Sequence, residues 1–285
     1  MQMHLIKLSS IQRRPINSGV SYVKRLLILS TALLAACGTE PVATVTEAPA
    51  TVEDTFLTQL RADYPVTLSA IADGVWVHTT NYLLPGQSPI PVNGLVVVDG
   101  DEVTLVDGAW GELATLSLIE AAKEETGKPV TKMVVTHHHA DRTQGVDAAE
   151  RAGIEVFTHP DTPTLAARAG LPVPNTSVAA LKDPRSRTRV GKVEIAFPGH
   201  GHAPDNLVVY LPEENILYVG CAARGAGSQT LGNTADADLS VWRDSLIWTK
   251  ATYSEARTVV PGHGKGANLS LIDATVAMID QALTE

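Results

Sequence analysis

Seven consecutive residues, Thr136-His137-His138-His139-Ala140-Asp141-Arg142, constrain this chain most. They follow an apolar run ending at Val135 that reads as a buried strand. In extended backbone, side chains at i, i+2 and i+4 project to one side. The spacing therefore predicts that His137, His139 and Asp141 converge while His138 and Ala140 point away. Two imidazoles and a carboxylate make a good zinc donor set. The plainer alternative is a polar surface turn that carries three histidines.

Three more donors stand just past other strand-like runs. His202 lies in Pro198-Gly199-His200-Gly201-His202-Ala203-Pro204-Asp205-Asn206, Cys221 follows Gly220, and His263 lies in Pro261-Gly262-His263-Gly264. Donors gathered beyond strand ends, beside glycines that let backbone approach closely, are what a loop-built metal site requires. Any one of them alone could equally be a packed or exposed side chain; together they point to a metal centre. His200 is the alternative to His202 in its segment, with a solvent-facing reading. His4, His78 and His159 read as structural or, for His4, as part of a removed leader.

Around these donors, strand and helix patterns interleave. Residues 74–79 and 95–99 are rich in β-branched side chains, and Asp99-Gly100 is a hairpin turn signal leading into a strand at 102–106. Residues 112–126 carry apolar positions three apart and end at Gly127, a helix with a glycine C-cap. A strand at 132–135, a short helix near 146–152 and a strand at 155–158 follow. Residues 192–197, 206–211 and 216–219 read as strands. Asp238 caps a helix to about residue 253, 257–260 is a strand and 270–283 a final helix. Two mixed halves of this kind predict an α/β fold with packed sheets covered outside by helices.

The N-terminus carries a different message. Lys24-Arg25 precede a nine-residue apolar run ending in Leu34-Ala35-Ala36-Cys37, the layout of an export leader. The run is too short to span a bilayer, which needs about twenty residues. Cysteine after Leu-Ala-Ala is similar to a bacterial lipobox, so Cys37 is expected to be the acylated first residue after a leader at 1–36. Residues 37–55 read as a flexible tether, and the folded domain is expected over 56–285. Acylation of Cys37 would leave Cys221 a lone thiol, which asks for a reason such as metal ligation. The formal net charge of −9 excludes nucleic acid as an expected partner, since phosphate binding needs clustered positive charge.

Taken in order, these motifs resemble the metallo-β-lactamase superfamily. The similarity runs from about Asp73 to the C-terminus. It rests on His-x-His-x-Asp-Arg, Gly-His before Asp205-Asn206, Gly220-Cys221, Leu231-Gly232-Asn233, Ala235-Asp236-Ala237-Asp238 and Pro-Gly-His-Gly. Many members of the superfamily have His where Arg142 stands and a bridging Asp where Cys221 stands. The pair Arg142 and Cys221 therefore resembles the true zinc β-lactamases that use a cysteine ligand. Gln144, where relatives often carry Gly, and Ala222-Ala223 depart from the pattern and touch only substrate preference.

The resemblance implies a four-layer αββα sandwich and two Zn2+ per chain. His137, His139 and His202 would hold one ion, and Asp141, Cys221 and His263 the other. Three neutral histidines leave an open, Lewis-acidic position able to bring a bound water toward a pKa of about 7, which would attack the lactam amide of penicillins, cephalosporins and carbapenems. Such an enzyme confers antibiotic resistance. It further implies catalytic roles for Asp141 and Asn233, with Asn233 also donating to the substrate oxygen. Arg224 would pair with the substrate carboxylate, and Arg142 would steady Asp141 or the Cys221 thiolate. Residues 81–93 are expected to form a long mobile flap. A periplasmic, lipid-anchored monomer is expected. The competing readings are a hydrolase of the same fold acting on a thioester, lactone or phosphoester, and a non-enzymatic zinc-binding lipoprotein.

Overall fold

A computed structural model describes residues 51–86 and 88–285. The expected leader, Cys37 and most of the expected tether lie outside the described residues. Six strands form one sheet in chain order: β1 (Thr67–Ala72), β2 (Val75–Tyr82), β3 (Ile90–Asp99), β4 (Glu102–Val106), β5 (Val130–Val134) and β6 (Glu155–Phe157). A second sheet runs β11-β10-β9-β8-β7, built from β7 (Ser186–Val190), β8 (Val193–Phe197), β9 (Val208–Leu211), β10 (Ile216–Gly220) and β11 (Thr258–Pro261). The helices are α1 (Val52–Asp63), α2 (Glu112–Thr126), α3 (Ala140–Thr143), α4 (Val146–Arg151), α5 (Thr162–Ala169), α6 (Leu239–Thr252) and α7 (Ser270–Ala282).

Strand alternation sorts the apolar side chains into three layers. Leu95, Val97, Ile195, Phe197, Ile216 and Tyr218 fill the space between the sheets. Their neighbours point the other way. Val96, Leu105 and Met133 pack with Leu118, Ile119 and Val146 of α2 and α4. Ala196, Leu217 and Val219 pack with Trp242, Leu246, Leu271 and Ile279 of α6 and α7. Because both faces of the central strands are buried, they read as nearly continuous apolar runs. The result is the expected four-layer αββα sandwich.

Local chemistry accounts for several boundaries. Asp99-Gly100 closes the β3–β4 hairpin, with Asp99 paired to Glu102. Asp238 caps α6 by accepting from the Val241 amide at 3.2 Å. Two expectations need correction. The folded region starts before residue 56: α1 takes in residues 52–55, because Thr51 Oγ1 accepts from the Asp54 amide at 3.1 Å while Asp54 Oδ2 accepts from the Thr51 amide at 2.9 Å. That reciprocal capping box satisfies two otherwise orphaned donors. Both ends of the stretch 81–93 are strand rather than loop, since Tyr82 pairs with Ile90, Asn81 with Pro91 and Thr79 with Asn93. Only residues 83–89 connect the two strands.

The β2–β3 pairing also explains one buried histidine. His78 lies opposite Gly94, where a side chain would run into the His78 imidazole and the Val106 carbonyl. The ring therefore lies across the sheet, with Nε2 donating to the Asp107 carbonyl at 3.0 Å. Burial pushes its pKa down to about 4. His78 is thus a neutral structural residue, as its sequence context implied.

Candidate metal centre

The ligand-bearing loops leave the same edge of the sandwich. At the end of β5, Thr136 is held by Asp107, whose carboxylate accepts from the Thr136 amide and hydroxyl, both at 2.8 Å. Asp107 turns its side chain back there by adopting a positive φ of 58°, which Asp tolerates better than most residues. The Thr136 carbonyl accepts from Leu207 N at 2.7 Å, tying the loop that carries His137 to the one that carries His202.

The chain then turns rather than staying extended. His139 is the N-cap of α3 and Asp141 sits in its first turn, with Arg142 N donating to the His139 carbonyl at 2.9 Å. The expected convergence of His137, His139 and Asp141 is present, but a turn into a helix produces it. The expectation that His138 points away is corrected too. Its ring turns inward, 6% exposed, with Nδ1 2.9 Å from the buried Asp205 carboxylate.

His137, His139 and His202 place one nitrogen each within 4.8 Å of one another. His139 Nδ1 and His202 Nε2 are 3.0 Å apart, and the buried Nε2 of His137 has no hydrogen-bond partner. An orphaned buried nitrogen beside two others facing the same point fits a cation held between them. Burial pushes His137 well below its usual pKa and His202 down to about 3, so both rings are neutral at pH 7, the form in which imidazole binds metal.

Asp141 links this cluster to a second one. Its Oδ1 is 4.0 Å from His137 Nε2, while Oδ2 is 2.9 Å from His263 Nε2 and 3.5 Å from Cys221 Sγ. Burial opposes a charge on Asp141, but the adjacent Arg142 guanidinium and His263 hold its carboxyl well below the usual range. Burial also works against a charged His263. The Cys221 thiolate and the Asp141 carboxylate nevertheless raise it to about 10 in the metal-free chain. Thiolate, carboxylate and imidazole around one point form a zinc-type donor set.

Arg142 underlies this second cluster and is fully buried. It donates to Cys221 Sγ (3.2 Å), the Gly262 carbonyl (3.1 Å) and the Asn93 carbonyl (2.9 Å), and lies 3.1 Å from Asp141 and 3.5 Å from Asp107. Gly262 is required here, since a Cβ would run into the guanidinium and lie 3.1 Å from Cys221 Sγ.

Both clusters floor a cavity of about 450 Å³. Arg224 and Asn233 line it. Arg224 Nε donates to the Thr230 carbonyl at 3.1 Å, and its guanidinium packs against Gly232. Asn233 Oδ1 accepts from Ala235 N at 3.1 Å, so its carbonyl is engaged within its own loop. His200 stays out of the cluster, with Nε2 2.8 Å from the Asp236 carbonyl oxygen, and His159 packs on Phe197.

Several wall residues escaped the sequence reading. Trp110 stacks on Tyr82, rings 3.9 Å apart and 9° from parallel, beside Ile90. Ala169, the last residue of α5, and Leu171 just beyond it also line the cavity. A signal for α5 existed: Thr162-Pro163 at a helix start and Gly170 at its end in the left-handed region.

Comparison with known proteins agrees with this geometry. Residues 88–263 match the model of the metallo-beta-lactamase superfamily. The chain is 35% identical over 214 residues to a metallo-beta-lactamase type 2 of Bacillus sp. (strain 170), covering 75% of this chain and 82% of that protein. Identity to the metallo-beta-lactamase type 2 of Bacteroides fragilis is 30%, with 76% and 86% covered. Among solved structures, a metallo-beta-lactamase from Pseudomonas aeruginosa in its mono-zinc form superposes with a TM-score of 0.73 at 36% identity, covering 76% of this chain and 96% of that one. One from Hirschia baltica also gives 0.73, at 32% identity, covering 75% and 98%.

Proposed function

The chain belongs to the metallo-β-lactamase superfamily, and from that premise we propose that it is a zinc-dependent β-lactamase opening the cyclic amide of penicillin-, cephalosporin- and carbapenem-type antibiotics. The observation that carries this reading is the junction at Asp141, which joins a three-histidine cluster to an Asp-Cys-His cluster on the floor of one cavity. Two donor sets support a content of two zinc ions per chain. Zinc at such sites supplies Lewis acidity and lowers the pKa of a water to about 7.

The chain's own residues do the rest. His137 and His202 are neutral through burial and offer lone pairs without first losing a proton. Asp141, held as a carboxylate by Arg142 and His263, faces both clusters and fixes their relative position. Asn233 has its carbonyl engaged, which orients its amide N–H groups as the available donors toward a substrate oxygen. Trp110 and Leu171 add apolar surface to the walls above that floor.

A chromogenic cephalosporin tests the reading. Zinc-loaded protein is expected to hydrolyse it and to lose that activity with a chelator. Turnover of a thioester or lactone substrate with no cephalosporin hydrolysis would overturn it.

Arg224 makes a narrower prediction. Its side chain lines the cavity and would pair with the carboxylate that most β-lactams carry. A hydrogen bond to a charged group is worth roughly 1.5–3 kcal/mol, so Arg224→Ala is expected to raise KM by about ten- to hundredfold. Zinc content and, largely, kcat should hold, because the contact is made in ground and transition states alike. A KM within twofold of the parent for carboxylate-bearing substrates would remove Arg224 from the binding site.

The Leu34-Ala35-Ala36-Cys37 sequence supports a periplasmic enzyme tethered to a bacterial membrane through acylated Cys37. Fractionation should place the parent in membranes and Cys37→Ser in the soluble periplasm. A parent that is wholly soluble would defeat the anchor.

A further inference from the structure

His263 joins the Asp-Cys-His set by a different route from its partners. Asp141 sits in the first turn of α3 and Cys221 directly follows β10, so regular structure places both. His263 lies in Pro261-Gly262-His263-Gly264-Lys265-Gly266, where every second residue is glycine and Gly264 adopts a positive φ of 77°. Such a backbone has little conformational preference of its own. The loop also continues from β11 of the second sheet, whereas α3 follows β5 of the first. A tie between the two sheets must hold His263 against Asp141.

Asn93, a buried residue of β3 in the first sheet, supplies that tie. Its Nδ2 donates to the Pro261 carbonyl at 3.0 Å and to the Gly264 carbonyl at 2.8 Å, one on each side of His263. Its backbone amide donates to the Gly262 carbonyl at 2.9 Å, and Gly262 N donates to the Gly220 carbonyl at 2.7 Å, next to Cys221. Carbonyls can only accept, so the side-chain amide has one workable orientation, nitrogen toward the loop. Its oxygen then accepts from Thr79 Oγ1 at 2.9 Å. Two residues earlier, the Pro91 carbonyl accepts from His263 Nδ1 at 2.7 Å, which turns Nε2 toward Asp141. The Asn93 carbonyl accepts from Arg142 and from the Tyr218 hydroxyl, so every polar group of Asn93 is engaged. A buried amide paired this completely holds what it touches in one place.

We propose that Asn93 is a positioning residue for the second metal set: its side chain holds the His263 loop where Nε2 meets Asp141 and Cys221, and the three-histidine set does not depend on it. This role rests on the zinc reading of the two donor sets. Without the clamp, the glycine-rich loop has to be ordered each time a metal binds, and that cost appears as lost affinity.

Titration of the full chain with zinc against a chromophoric chelator gives the affinity of each equivalent. Asn93→Ala is expected to weaken the Asp-Cys-His equivalent by about 10–100-fold, the usual cost of losing a group that orients a metal ligand, and to leave the three-histidine equivalent unchanged. Cobalt(II) in place of zinc identifies the weakened site, since the thiolate-to-cobalt absorption from Cys221 should need correspondingly more cobalt to saturate in the variant. Thr79→Val removes only the bond that orients the amide and should shift the same equivalent in the same direction by less. Thr79 is half-buried, so this variant carries the test if Asn93→Ala does not fold. A merely structural role would weaken both equivalents together, so equal losses overturn the proposal. So does an Asp-Cys-His equivalent that is unchanged in the variants that fold. A parent with no thiolate-bound metal overturns the Asp-Cys-His reading and this role with it, whereas a parent with two metals and unaltered variants overturns the role alone.

Discussion

Cys221→Ala is expected to leave about one zinc per chain after dialysis, against two expected in the parent. Cys221 Sγ is buried, 3.5 Å from Asp141 Oδ2 and 3.2 Å from the Arg142 guanidinium, so its thiolate contributes charge to a set that otherwise has one carboxylate and one imidazole. Removing it leaves Asp141 already neutralised by Arg142 and His263, a poor pair for a divalent ion. The three-histidine set lacks any such dependence. The two sets should also answer differently to pH. Zinc entering the second set must displace the proton that His263 holds up to about pH 10, so its affinity rises with pH through the neutral range. His137 and His202 are already neutral there, and the first equivalent should change less above pH 7. Two tightly held zincs in Cys221→Ala would strike that residue from the ligand set.

Arg142→Ala is expected to destabilise the metal-free chain by about 3–5 kcal/mol, the usual cost of removing one partner from a buried charge pair. The guanidinium is fully buried and is the positive charge shared by Asp107, Asp141 and Cys221. Its loss leaves those groups uncompensated in a low-dielectric interior, while the Asn93 and Gly262 carbonyls keep only their other donors, the Tyr218 hydroxyl and the Asn93 amide. Arg142→Lys should recover only part, because a single ammonium cannot reach partners spread across two nitrogens. Zinc loading should shrink the penalty, since the ion brings positive charge to Asp141 and Cys221. Urea denaturation of chelated and zinc-loaded protein measures both effects. A loss under about 1 kcal/mol in the chelated state would mean that the interior tolerates the uncompensated carboxylates.

The same contacts show why some of the architecture was legible and some was not. Asp238 caps α6 through an amide three residues away, and Asp99-Gly100 turns a hairpin whose partners are adjacent. Such signals are short-range, so they are present in the residue order. The edge strands β1 and β7 carry mostly exposed or half-buried side chains and thus no apolar pattern to read. The β2–β3 connection is shorter than the sequence implies, because Pro91, Asn81 and Tyr82 resemble loop residues until their cross-strand partners are known.

In the candidate site the division is sharper. Donor identity, order and neighbouring glycines pointed to a metal centre drawing on His137, His139, His202, Asp141, Cys221 and His263, because ligand chemistry resides in each side chain. Which nitrogen faces which was decided only by tertiary structure. His139 meets His202 across 63 positions and Asp141 meets His263 across 122, distances in sequence that only the packing of two sheets can close. The inward turn of His138 was likewise invisible, because its cause is a buried carboxylate 67 positions away. Asp107 was hidden for the same reason. It reads as one more acid after a strand, and becomes the anchor of Thr136 and a partner of Arg142 only when β4 and β5 lie side by side.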